Sequence, residues 1–134
     1  MLKPVALALL LPTAAVAQSF SSAAEVKPIL MATKASWVAV RDYDGKDLVY
    51  FTNLLAWRCG VSHVFYAVND GEPVELEMEP CHDGTAQPNA LLMEDTLPYI
   101  TLPQGSVEKL TVGVVFDDDS TEAASFERKA VLIP

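Results

Sequence analysis

Apolar and polar positions along the chain fall into three textures. The first is an uninterrupted apolar run from Val5 to Leu11. The second is a short mixed stretch, residues 25–34, in which Ser22 followed three places on by Glu25 fits a helix capping box. A short helix is expected there, with Pro28 tolerable only in its first turn. The third texture begins at Ala35, where β-branched and aromatic residues repeat with a period close to two.

Within that third region, Ser36 to Tyr43 reads as a strand with Trp37 and Val40 packed. Asp44-Gly45 marks a hairpin turn, and Leu48 to Thr52 returns as a second strand. Asn53 to Trp57 fits either strand or a helical turn. Arg58 to Val68 reads as a long strand that places Cys59, Val61 and His63 on one face. After a turn at Asn69-Asp70-Gly71, Val74, Leu76 and Met78 alternate with Glu75, Glu77 and Glu79. This predicts one buried face and one acidic face.

Residues 80–98 break the pattern. They hold Pro80, Pro88 and Pro98 and no periodicity, with Asn89 placed to cap a turn over residues 90–95. Alternation returns at Tyr99 to Leu102 and is clearest where Leu110, Val112, Val114 and Phe116 alternate with Lys109, Thr111, Gly113 and Val115. A last strand is expected over 121–132, with Phe126 and Leu132 on one parity. The expected fold is all-β: an immunoglobulin-like antiparallel β-sandwich of about seven strands. The expected divisions are a signal peptide (1–17), a leader with a short helix (18–34) and the sandwich (35–134).

The first texture changes how the cysteines read. Lys3, the Val5–Leu11 run, Pro12 and Ala15-Val16-Ala17 form the three parts of a cleavable secretory signal. The run falls well short of the ~20 residues a spanning helix needs. The expected product is periplasmic or secreted, with no stable membrane anchor. Cys59 and Cys81 are then expected as a disulfide. Residues 18–134 carry eight Lys and Arg against eighteen Asp and Glu, a formal charge of −10. That field repels phosphate backbones, so nucleic acid is excluded as a partner.

Candidate chemistry is sparse. Two Cys and two His suggest a metal, but Cys81 and His82 are adjacent, and adjacent residues on an extended chain point opposite ways. The remaining metal alternative is a periplasmic metal-binding protein using His63 and His82 with nearby carboxylates. Asp117-Asp118-Asp119-Ser120 reads as a solvated turn without EF-hand spacing. Ser62 and His63 are neighbours, which places them on opposite strand faces, and no Ser lies in a nucleophile-elbow glycine pattern. No catalytic activity and no cofactor are expected. The leading expectation is a binding or interaction module for a protein or small ligand. Its surface is expected to comprise Trp57, Arg58, His82 and Asp83 beside the 80–98 segment.

Overall fold

The computed structural model describes residues 19–134 together with Lys3, Pro4 and Ala6. The expected signal sequence, apart from those three residues, lies outside the described residues. Two four-stranded sheets pack around one apolar core. The first contains β1 (Ala39–Tyr43), β2 (Lys46–Tyr50), β5 (Tyr99–Pro103) and β8 (Leu132–Ile133), in the order β5-β2-β1-β8. The second contains β3 (Val61–Val68), β4 (Val74–Glu75), β6 (Lys109–Phe116) and β7 (Thr121–Glu127), in the order β4-β3-β6-β7.

The helix at the start of the domain, α1 (Ala23–Ala32), forms as its cap predicts. The Glu25 amide donates to the Ser22 hydroxyl at 3.3 Å, and the Glu25 carboxylate accepts from the Ser22 hydroxyl at 2.9 Å. The Phe20 amide also donates to that carboxylate. Pro28 sits in the helix interior rather than the first turn. Its missing N–H would have bonded the Ala24 carbonyl. Both residues are exposed, so water can take the acceptor. Val26 and Leu30 on the opposite face are fully buried. Trp37 is also fully buried and donates its indole N–H to the Leu30 carbonyl at 2.9 Å.

The alternation in β6 is realised in full: Leu110, Val112, Val114 and Phe116 are buried between half-buried neighbours. The Asp44-Gly45 turn joins β1 to β2, with φ of 52° and 74° at the two residues. Residues 52–55 form a single helical turn, α2 (Thr52–Leu55). A 3-10 turn at Arg58–Gly60 then leads into β3.

Three further expectations are corrected. A bulge between Val61 and His63 shifts the register of β3 on β6. Val61 is buried while His63 is exposed, so the two do not share a face. The bulge inserts one residue and thereby reverses the parity of everything after it. The last strand ends at Glu127, and a helical turn, α3 (Arg128–Val131), carries the chain across to the other sheet. There β8 pairs in parallel with β1, leaving Leu132 exposed. Among the described residues the sandwich therefore has eight strands and one parallel pair. Residues 90–95 form no helical turn.

Gly60 leaves no room for a side chain between the β3 entry and α1 with its cap. A Cβ there would lie 2.3 Å from Val26 Cγ2 and 2.6 Å from the Ser22 carbonyl oxygen.

Candidate functional site

The 80–98 segment is held by a buried network. Cys59 and Cys81 form the expected disulfide, with Cα atoms 5.0 Å apart. Beside it the Arg58 side chain enters the protein. Arg58 is 3% exposed, and its guanidinium donates to five backbone carbonyls: Glu79, Leu55, Asn89, Pro80 and Ala90. It also reaches the Glu79 carboxylate at 3.3 Å. Arg58 is thus a clasp for the loop rather than a surface residue. An uncapped loop carries many carbonyls that need donors, and a planar guanidinium supplies up to five N–H groups at once.

Glu79 is the second member and was not foreseen. The alternation puts it on the solvent face with Glu75 and Glu77, yet it is 7% exposed. The β3–β4 ladder ends early: Leu76 N–H donates to the Val64 carbonyl at 2.8 Å, and the chain then leaves the sheet. Period-two parity no longer applies past that point. The Glu79 carboxylate accepts from the Leu92 amide at 3.0 Å, the Met93 amide at 2.8 Å and the His82 Nε2 at 2.5 Å. Burial pushes this carboxyl up. The Leu92 and Met93 amides, the His82 ring and the Arg58 charge outweigh that effect and hold it at about 2. Burial pulls Arg58 below its ordinary value, against the raising influence of Glu79.

Asn89 completes the anchor. Instead of capping a helical turn, its side chain accepts from the Cys59 amide at 2.8 Å and donates to the Phe20 carbonyl at 2.9 Å. Phe20 in turn meets Trp57 edge to face, with ring centroids 5.2 Å apart. Trp57 is therefore half covered by the N-terminal segment. His82 is half-buried on Glu79, and Asp83 is exposed. The four expected surface residues thus divide: Asp83 is open to solvent, Trp57 and His82 are partly so, and Arg58 is not.

The outward face of the loop carries three exposed apolar side chains among polar and acidic ones. Leu92 is 55% and Met93 52% exposed, and Leu97 is similarly open. Met93 has φ 55°, in the left-handed region that a non-glycine residue enters at a cost. The Met93 amide bond to Glu79 holds it there. Exposed apolar side chains on strained backbone, fixed from below by buried charge, are a feature of binding loops.

The stretch of chain that contains the loop carries fixed charge of one sign. No Lys or Arg occurs between Arg58 and Lys109, while that stretch holds Asp70, Glu72, Glu75, Glu77, Glu79, Asp83, Glu94, Asp95 and Glu108. Between the loop and the sandwich lies a groove of about 420 Å³ lined by residues of β4, its continuation and β5.

The two histidines serve different carboxylates. His63 Nδ1 lies 2.6 Å from Glu75, and His82 lies against Glu79. Among the described residues no group of three or more His, Cys, Asp or Glu side chains is placed to hold a metal ion. The Ser62 hydroxyl donates to Asp117 at 2.9 Å, and Asp118 accepts from the Ser120 amide at 2.9 Å. The second contact lies within the β6–β7 turn, and the first ties that turn to the start of β3. Among the described residues no helix is long and apolar enough to cross a membrane. Comparison with protein-family models, with curated proteins and with solved structures found no match to this chain.

Proposed function

We propose that the chain is an exported, non-catalytic interaction module whose working surface is the 80–98 loop, with Leu92, Met93 and Leu97 as its contact residues. The observation that carries this reading is Met93: an exposed apolar side chain on left-handed backbone, held by a buried carboxylate. Keeping that conformation costs stability, which an ordinary solvated loop has no reason to expend. The disulfide agrees with an oxidising compartment outside the cytoplasm.

The sandwich is read as immunoglobulin-like on its pairing order. Taking β1, β2 and β5 as strands A, B and E, and β4, β3, β6 and β7 as C′, C, F and G, reproduces the neighbours of that fold. Three features depart from that layout, the first being β8, which adds a strand in parallel with β1. The disulfide joins two loops rather than the two sheets. The 76–98 segment takes the place in the chain where strand D would lie, and it is almost without regular structure.

A photoreactive side chain placed at position 92 tests the reading in cells that export the protein. The expected result is one discrete protein adduct that is absent with the same group at the exposed Tyr43 position and lost in Met93→Asp. Equal adducts at both positions, or none at 92, would overturn it.

A further inference from the structure

We infer that the groove between edge strands β4 and β5 receives a short extended segment of a partner protein in which Arg or Lys alternates with apolar side chains. This deepens the reading of the chain as an interaction module and rests on it; the groove adjoins the loop surface, with Leu97 lining both, and the inference adds a partner chemistry.

Topology leaves the groove open. Strand β5 ends one sheet and β4 ends the other, so each has one unpaired edge, and the two edges lie on either side of the groove. The segment that could have paired with β5 runs as an irregular loop instead. An exposed edge offers a row of unmatched N–H and C=O groups that an added strand satisfies. Pro98 precedes β5 and Pro103 ends it. Proline cannot donate to a ladder, so the edge suits a short insertion and resists indefinite self-pairing.

The lining specifies the side chains. Leu76, Tyr66 and Ile100 supply apolar surface, and Glu75, Glu77 and Asp95 supply carboxylates. Glu75 is shared with His63. Among the described residues neither Glu77 nor Asp95 has a cation within ion-pair distance. With no Lys or Arg from 59 to 108, the chain itself provides no neutralising partner from that stretch. An extended segment presents alternate side chains to opposite sides, so a cationic residue reaches the acids while its apolar neighbour meets the floor.

The test uses a short fluorescent peptide alternating Arg and Val, read by anisotropy and by amide shifts in the 15N-labelled protein. The expected result is saturable binding with shifts centred on 75–77 and 95–102. Glu77→Gln with Asp95→Asn, both at exposed positions, should weaken it by about tenfold or more. A peptide of Glu and Val should not bind. Three outcomes would overturn the inference: an Arg and Ser peptide binding as well as Arg and Val, shifts centred elsewhere, or an unchanged affinity in the double variant. Met93→Asp, with the photoreactive group kept at position 92, separates the two surfaces. It should lose the adduct at the loop yet keep the peptide, and loss of the peptide in that variant would count against an independent groove.

Discussion

The Arg58 guanidinium and the Glu79 carboxylate approach to 3.3 Å with both side chains closed to water, 21 residues apart in sequence. Neither charge is wasted on the other. Arg58 spends five of its contacts on carbonyls, and Glu79 spends two of its own on the amides of Leu92 and Met93. The pair is thus an organiser of backbone as much as an ion pair. Removing one member strands the other, so Arg58→Met is expected to cost roughly 3–5 kcal/mol. Urea unfolding of the oxidised protein measures this. A loss below about 1 kcal/mol would show that the loop does not depend on the clasp.

Acid should loosen the same network. The Glu79 carboxyl is held at about 2 against an ordinary 4.5. The unfolded chain therefore takes up a proton at higher pH than the folded one. Its contribution, roughly 3 kcal/mol, is fully present above about pH 4.5 and is lost as pH falls toward 2. Asp47 is also held well below its usual range and adds to the loss in the acid part of the same window. Thermal unfolding from pH 7 to 2 is expected to be flat at first and then to fall. In Glu79→Gln the fall should be shallower.

Asp47 ties β2 to the far end of the fold. It is wholly buried and accepts from Arg128 at 2.6 Å and from the amides of Gly105 and Val107 at 3.0 Å each. Asp47→Ala should destabilise by roughly 3–5 kcal/mol, because it leaves those donors unmatched. Hydrogen exchange should quicken first at Gly105 and Val107. Unchanged protection there would mean the carboxylate is dispensable to that turn.

Gly60→Ala is a steric test of the contact between α1 and the β3 entry. The added methyl meets the Ser22 carbonyl, which is backbone and cannot rotate away. A loss of about 1–3 kcal/mol is expected, with chemical-shift changes running into α1.

Met93→Gly should behave in the opposite way. Glycine accepts φ 55° without a Cβ penalty. Stability is expected to hold or rise by up to about 1 kcal/mol, while the adduct at position 92 weakens. A variant less stable than the parent would remove the claim that Met93 is strained.

Much of this fold is legible residue by residue. Leu110 to Phe116 alternate because β6 is central in its sheet and one of its faces meets the core. Ser22 and Glu25 announce α1 because the cap is local chemistry. Asp44-Gly45 announces a hairpin for the same reason. Most of the misses are nonlocal. Glu79 reads as exposed because parity is a property of a strand, and the strand stops before it. Its burial depends on Arg58, whose sequence context suggests a surface residue. The bulge at Ser62 adds one residue with no compositional mark, and the shift it causes displaces His63 from the face of Val61. The burial of Asp47 has no local mark in the sequence, because its partner Arg128 lies 81 positions away. In the candidate site, the loop's boundaries and its disulfide could be read, but its contact residues could not. Nothing in the sequence marks Leu92, Met93 and Leu97 as exposed, and the Glu79 carboxylate that holds the backbone at Leu92 and Met93 is itself a nonlocal partner.

The absence of Lys and Arg between Arg58 and Lys109 also shapes how the molecule can be handled. Trypsin finds no cleavage residue inside that interval, so Cys59 and Cys81 leave together in a single peptide, and their bond shows there as a mass lower by two hydrogens. Amine-reactive dyes and coupled surfaces find no side-chain purchase on it either. Immobilised through its lysines, the protein offers the loop and the groove unlabelled.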